Sequence, residues 1–350
     1  MRELNMAGRI KQRMGEAAHT MGVVDPTPYV GELLERSFHM PVGDPRYAAN
    51  TLTPGAVPVE PSYSEREPQV LRFTIEPVGV GTSPSTRRDE ATREMRRLVG
   101  PEFGHDALRW FDGRSEEWRG FASPARLNYG AWFGTSYDRH GLAGAKIYYE
   151  LSPHQLQALP PALAALLRIA AETMPNLRPL FTTIACRREE GSQRLSFGHH
   201  GPLRISELGP LLNRLNMGHQ LPGFLQIVGL TLGGRFDLPE GAFLLGLGEA
   251  AEGAEVKLEI MLPMLPDVPA GFLDLLALGL AERPRELKAL GRWLHAMTPE
   301  TREWPGEFSV LSVRATPHSS ARVSLYLRPA EFEVPRRLSD VRPLNGMALV

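Results

Sequence analysis

Apolar and polar residues alternate in a series of short segments along the chain, and this period of two is typical of β-strands. Many of these segments are rich in β-branched residues, and several are bounded by glycine, proline or other turn residues. The pattern predicts strands at 70–78, 126–133, 145–151, 180–186, 193–197, 224–232, 243–249, 255–262, 307–315 and 321–328.

Other segments follow the helical period, with apolar residues three or four positions apart. Ser83 or Ser85 is a suitable N-cap for one of them, the Pro160–Pro161 pair should divide the next, and Pro284 should divide the last. Residues 25–64 are rich in proline and glycine and are predicted to form an irregular cover. The predicted helices are 1–21, 83–99, 152–173, 205–215 and 270–297.

The order of these elements predicts one α/β domain built from a repeated unit. Two strands are followed by one or two helices, about five times, and strands joined as hairpins are antiparallel. Both a layered sheet and a closed barrel fit this order, but about ten strands favour a closed barrel surrounded by helices. A parallel barrel is disfavoured because each helix follows two strands. We expect a helix and cover at 1–57, the barrel units at 58–330 and a tail at 331–350.

Composition gives no support to some functional classes. The 350 residues include 39 Lys and Arg and 40 Asp and Glu, so the formal charge of −1 favours neither nucleic acid nor a membrane surface. The sequence contains no run of about 18 apolar residues and no secretory signal at its start. Cys186 is the single cysteine, so an internal disulfide is impossible, which suits the cytoplasm.

Four predicted strands carry a cation, and in three of them another polar or aromatic side chain shares its face. Alternate residues of a strand point to the same side. If that side is the inside of the barrel, the cations form a cluster suited to a diphosphate, because charge-assisted hydrogen bonds to phosphate are strong. The alternative is that each cation lies on the outer, solvated face. The side chains are Arg72, Lys146 with Tyr148, Lys257 with Glu259, and Arg322 with Tyr326.

Three stretches of sequence resemble one known family. Residues 58–78 contain P-V-E-P-S followed by V-L-R-F-T-I-E-P-V, residues 145–149 read A-K-I-Y-Y, and residues 321–329 read A-R-V-S-L-Y-L-R-P. In order and spacing they are similar to the ABBA-fold aromatic prenyltransferases, most of all to the indole prenyltransferases of the dimethylallyl-tryptophan-synthase type. The resemblance implies the closed barrel and the transfer of a prenyl group to an aromatic ring.

The resemblance also implies roles for individual residues. Glu60 matches the glutamate that accepts the indole N–H proton, and Trp132, on a predicted barrel strand, is a further candidate for substrate contact. The diphosphate would be bound by Arg72, Lys146 and Lys257, with Arg322 as an extra cation, and the allyl group would be shielded by Tyr148 and Tyr326.

The chain departs from the family pattern in two strands. The third unit of the family reads R-x-K-x-Y, whereas this chain has Arg194, Ser196 and Gly198 at that spacing. Glu259 stands where a tyrosine is common. One cation and two aromatic groups of the family pattern are therefore missing.

The predicted reaction is the transfer of a dimethylallyl or longer prenyl group from its diphosphate to an indole or tryptophan-like acceptor, as in alkaloid biosynthesis and other secondary metabolism. The sequence lacks a D-D-x-x-D motif, and His199 and His200 are adjacent strand residues that face opposite ways. We therefore expect no metal site and no obligatory Mg²⁺. The expected partners are the two small substrates, without nucleic acid or membrane, and the protein is expected to be a monomer or homodimer.

Two other functions remain open at this point. The same barrel could bind an isoprenoid or aromatic ligand without catalysis, since the third unit has lost part of its pattern. Alternatively, the chain could be a different transferase or lyase on an unrelated α/β fold, which parallel central strands would indicate.

Overall fold

The structure is a computed structural model that describes residues 5–50, 52, 58–119, 127–250 and 253–333. Ten strands of this part of the chain form a closed barrel in which every neighbouring pair is antiparallel. The predicted barrel is confirmed, and the parallel alternative is wrong. Around the barrel the strands are β1 (Val59–Ser64), β12 (Ser319–Pro329), β11 (Gly306–Thr316), β10 (Gly253–Met261), β9 (Phe243–Ala250), β6 (Gly191–His199), β5 (Leu177–Arg187), β4 (Gly141–Glu150), β3 (Ala131–Asp138) and β2 (Leu71–Ile75).

Helices follow the strand pairs and cover the outside of the barrel. Ser83 is the N-cap of the third helix, because its side chain accepts a hydrogen bond from the backbone N–H of Thr86. A two-stranded sheet of β7 (Leu203–Arg204) and β8 (Asp237–Leu238) lies apart from the barrel. The helices are α1 (Met6–Met21), α2 (Thr27–Ser37), α3 (Pro84–Phe103), α4 (His105–Arg119), α5 (Pro161–Thr173), α6 (Gly209–Arg214), α7 (Leu221–Thr231), α8 (Phe272–Gly279) and α9 (Pro284–Met297).

The main core lies between the barrel and the helices. Outward residues of the strands, such as Phe133, Ile147 and Leu258, are fully buried in it. On α9, the ring of Trp293 packs 6.1 Å from that of Tyr63 on β1. Burial of each such side chain stabilises the fold by about 1.5–3 kcal/mol. The outward face of each strand therefore supports the fold, which leaves the inward face free to form a site.

Several predicted elements differ from the observed ones. Residues 224–232 were predicted as a strand, but Leu221–Thr231 is helix α7, because an almost unbroken apolar run has no period that separates a helix from a strand. The predicted irregular cover contains helix α2 and strand β1. Helix α4 was not predicted, and β3 begins at Ala131, five residues later than expected. Most of the predicted tail lies outside the described residues.

The described helices include none that is long and apolar enough to cross a membrane.

Candidate functional site

A cavity of about 510 Å³ lies inside the barrel and reaches the end where the hairpin turns are. Turn and strand-end residues such as Arg66, Glu190 and Glu249 line its mouth. Its walls carry inward residues from strands around the whole barrel. We call this cavity the cationic chamber, because its strand walls include Arg72, Lys146, Arg194, Lys257 and Arg314.

Strand register brings most of the predicted site residues together. Ser62 on β1 pairs with Arg72 on β2 and with Tyr326 on β12. Lys146 on β4 pairs with Gly134 on β3, and Gly134 in turn pairs with Thr74 on β2. Paired residues point to the same face of a sheet. The predicted inward orientation of the cations on β2 and β4 is therefore observed.

Lys146 has no hydrogen-bond or ion-pair partner for its Nζ within the described part of the chain. The ammonium lies 5.1 Å from the ring centre of Tyr148. Burial, together with the nearby charges of Lys257 and Arg194, lowers the pKa of Lys146 to about 8. Gly134 leaves the space that the lysine needs, since a Cβ atom there would lie 2.7 Å from Lys146 Cε. Lys146 is thus a half-buried cation that is free to bind an anion.

Lys257 is instead held by two neighbours. Its Nζ donates to Glu259 Oε1 at 2.5 Å and to the hydroxyl of Tyr326 at 2.9 Å. Burial acts to lower the pKa of Lys257, but Glu259 and Tyr326 outweigh it and the pKa is raised. Burial likewise acts to raise the pKa of Glu259, but Lys257 and Arg194 hold it below its usual value. Both partners of this pair are therefore charged at neutral pH.

Arg72 also has a carboxylate partner, at the mouth of the chamber. It donates to Glu67 Oε2 at 2.6 Å and to the carbonyl oxygens of Glu67 and Val70. Burial lowers the pKa of Arg72 but leaves the guanidinium charged.

The structure does not bring Arg322 to the chamber. Its Nη1 donates to Glu65 Oε1 at 2.7 Å, and Arg283 pairs with the same oxygen. The Glu65 side chain is fully buried, and its other oxygen accepts from the backbone N–H of Val323 at 2.9 Å. A buried carboxylate needs such partners. The contacts of Arg322 therefore indicate a structural role and give no support to the predicted diphosphate role.

Two further cations of the chamber were not among the site residues predicted from the sequence. Arg194 on β6 and Arg314 on β11 share Glu255 on β10, and Arg194 Nη1 lies 3.2 Å from Glu255 Oε1. The Nε atoms of both arginines are buried and without a partner among the described residues. Arg314 alternates with Ser312 on its strand, so the period of two could have identified it. These arginines add a second cationic wall to the chamber.

An aromatic cluster occupies the barrel beyond the chamber. Trp132 stacks on Tyr129 with ring centres 4.1 Å apart, and Trp132 and Tyr148 each meet Phe181 edge to face, at 5.9 and 6.0 Å. Burial raises the pKa of Tyr148 to about 12, so its phenol stays neutral. The aromatic cluster comprises Tyr129, Trp132, Phe181 and Tyr326 with Leu244, Met261 and Val310, and Tyr148 packs against it.

Glu60 lies at the border between the chamber and the aromatic cluster. It pairs with Thr74 on β2, and the same row of paired residues continues through Gly134 on β3 to Lys146 on β4. The next inward residue of β4 after Lys146 is Tyr148. Glu60 Oε1 accepts a hydrogen bond from Ser309 at 2.7 Å. Burial raises the pKa of Glu60 to about 7, although the Ser309 hydrogen bond acts against this. A carboxylate with such a pKa can take up a proton near neutral pH.

The geometry separates two environments within one barrel. Fixed cations can stabilise an anionic leaving group, and aromatic faces can stabilise a carbocation. Across the described ranges, no three His, Cys, Asp or Glu side chains are grouped in a way that could hold a metal ion. Independence from Mg²⁺ itself stays a prediction.

Comparison with known sequences gives no match to any family model and none to a curated protein. Several solved structures, by contrast, match this chain over most of its length. The prenyltransferase PriB in its apo form matches at a TM-score of 0.69 and 18% identity, covering 96% of this chain and 99% of PriB.

Two tryptophan prenyltransferases match equally well. The 5-dimethylallyltryptophan synthase of Streptomyces coelicolor has a TM-score of 0.69 and 17% identity, covering 95% of this chain and 100% of that protein. The 6-dimethylallyltryptophan synthase of Micromonospora olivasterospora, solved with DMASPP and Trp, has a TM-score of 0.69 and 16% identity, with the same coverage. The resemblance seen in the sequence is thus confirmed for the fold: this chain forms the ABBA barrel of the aromatic prenyltransferases.

Proposed function

We propose that this protein is an aromatic prenyltransferase, which moves a dimethylallyl or longer prenyl group from its diphosphate to an indole or related ring. One observation carries the proposal: a cationic chamber and an aromatic cluster meet inside one closed barrel, with the buried carboxylate of Glu60 at their border. Each part meets a separate need of the reaction.

The cationic chamber suits the diphosphate of the donor. Lys146 is free of partners among the described residues, and Arg72 and Arg194 line the chamber on either side of it. Hydrogen bonds from fixed cations to phosphate oxygens are short and strong. As the carbon–oxygen bond of the donor breaks, diphosphate leaves with the electron pair, and these cations stabilise the growing negative charge.

The aromatic cluster suits the prenyl group. A diphosphate in the chamber would direct the allyl carbon toward Tyr148 and Tyr326, whose ring faces attract a carbocation by about 2 kcal/mol or more when water is excluded. The acceptor ring then attacks, and a new carbon–carbon or carbon–nitrogen bond forms. Glu60 would take the proton that the indole loses.

The structural neighbours support an indole acceptor. The PriB structures include a ternary complex with L-tryptophan and dimethylallyl thiolodiphosphate.

One observation favours a second candidate, a barrel that binds a prenyl diphosphate or an aromatic ligand without catalysis. Glu255 is shared by Arg194 and Arg314, Glu259 pairs with Lys257, and Glu67 pairs with Arg72. Four of the five cations named on the chamber walls therefore already have a carboxylate partner. Such pairs weaken the stabilisation of a leaving group.

Diphosphate release separates the two candidates. Dimethylallyl diphosphate is mixed with the protein and indole, and released diphosphate is measured beside calorimetric donor binding. The enzyme is expected to release diphosphate only with the acceptor present, and Glu60→Gln should bind donor but lose turnover. Glu300→Gln, an exposed change on the surface, is the control. Donor binding without release by the wild-type protein would favour the non-catalytic barrel.

A further inference from the structure

Glu259 occupies a border position that the proposed reaction does not use. On β10 it follows Lys257, which lines the cationic chamber, and precedes Met261, which belongs to the aromatic cluster. Its neighbours in register are Leu244 on β9 and Ser312 on β11. A group that binds against the aromatic cluster would therefore lie beside this carboxylate.

Glu259 and Ser312 both have unused hydrogen-bonding capacity. Oε1 of Glu259 accepts from Lys257, whereas its Oε2 has no partner among the described residues. The hydroxyl of Ser312 is fully buried and also lacks a partner in that part of the chain. Residues opposite each other in an antiparallel pair have Cβ atoms roughly 5 Å apart. Each of these two facing side chains thus carries an oxygen without a partner in the described part of the chain.

We propose that Glu259 and Ser312 form a subsite for an ammonium group carried by the acceptor. An ammonium offers three donors and no acceptor, which matches a carboxylate oxygen and a hydroxyl. The subsite rests on the proposed function, because it places the acceptor ring against the aromatic cluster. The acceptor class is then an indole with a short aminoalkyl side chain.

The donor would strengthen this preference. Lys257 lines the chamber, so a bound diphosphate competes with Glu259 for its ammonium. A buried carboxylate that loses its partner is costly unless another cation replaces it. An acceptor ammonium supplies that cation, whereas an acceptor with only a carboxylate would be repelled by Glu259.

A matched pair of acceptors tests the subsite. Tryptamine and tryptophol share the indole and the two-carbon chain and differ in an ammonium or a hydroxyl at its end. The wild-type protein should prefer tryptamine in kcat/KM. Glu259→Gln and Ser312→Ala should each reduce the tryptamine-to-tryptophol ratio by about tenfold, as expected for a lost charged hydrogen bond, chiefly through KM for tryptamine. Glu300→Gln should keep the wild-type ratio.

Two results would overturn the subsite without affecting the proposed function. In one, wild-type protein prenylates tryptophol as well as tryptamine. In the other, Glu259→Gln slows both acceptors equally, which would mean that Glu259 acts on the prenyl cation. Failure to prenylate either acceptor, or indole itself, would instead contradict the proposed function.

Discussion

The side chain of Arg194 crosses strand β9 over Gly246, where a Cβ atom would lie 2.8 Å from its Cδ. Because glycine leaves this path open, Arg194 on β6 can reach Glu255 on β10. Gly246→Ala should displace Arg194 and weaken donor binding by about tenfold, the loss of one charged hydrogen bond. Calorimetric titration with dimethylallyl diphosphate measures the donor affinity of the variant and of the wild type.

Gly291→Ala is the matched control for that change. A Cβ at Gly291, on the exposed face of α9, would meet nothing within 4 Å. It should stabilise the helix by about 0.5–1 kcal/mol and leave donor binding as it is. Equal donor affinity in Gly246→Ala and wild-type protein would show that Arg194 does not contact the donor.

Lys146 should make donor binding depend on pH. Its pKa of about 8 lies below the usual value, so the free ammonium is charged below pH 8 and becomes neutral above it. Donor affinity should fall between pH 7 and 9, and bound diphosphate should shift the midpoint upward because it favours the charged form.

Replacement of Lys146 tests the same claim. Lys146→Ala should weaken the donor by about tenfold or more at pH 7 and remove the dependence on pH. Lys288→Ala, an exposed change on α9, should do neither. A Lys146→Ala protein with the wild-type pH dependence would assign the titration to another group.

Because of Glu60, the free energy of unfolding of the protein should fall as pH rises. Its pKa is about 7 in the folded protein against an ordinary value of 4.5, so the folded state binds more protons than the unfolded state in that window. The free energy of unfolding should fall by about 3 kcal/mol between pH 4.5 and 7 because of this group and stay level above. Urea unfolding of Glu60→Gln at pH 5 and 8 should lack this contribution. If the free energy of unfolding of Glu60→Gln depends on pH as that of the wild type does, Glu60 is not desolvated.

Arg322 should contribute to the stability of the fold and not to the affinity for the donor. Arg322→Ala removes one of the partners of the fully buried Glu65 and should destabilise the protein by about 1–3 kcal/mol. Donor affinity at a temperature where the variant is folded should match the wild type. A tenfold loss of donor affinity with unchanged stability would restore the diphosphate role inferred from the sequence.

Much of the barrel was predictable because its outward face is apolar and its inward face is polar or aromatic. Strand β1 escaped the prediction because V-E-P-S-Y-S has polar residues that point into the barrel and a proline, which together are typical of a loop. Helix α7 escaped because its apolar run has no alternation. In both cases the tertiary environment decided the structure.

The candidate site was predictable where a residue's face alone determines its place, as for Lys146 and Lys257. Arg322 alternates with Tyr326 along β12, which predicts the same face for both side chains. Arg322 instead binds Glu65, which is 257 positions away in sequence. The sharing of Glu255 by Arg194 and Arg314 depends likewise on three strands coming together. Such long-range pairs leave no local pattern.

The most direct test of the central claim is mass spectrometry of products. The wild-type protein is incubated with dimethylallyl diphosphate and a panel of indoles in the presence of EDTA. We expect a product in which one dimethylallyl group has replaced a hydrogen of the acceptor, formed at a rate that EDTA does not change. Absence of any prenylated acceptor from a folded protein that binds the donor would contradict it.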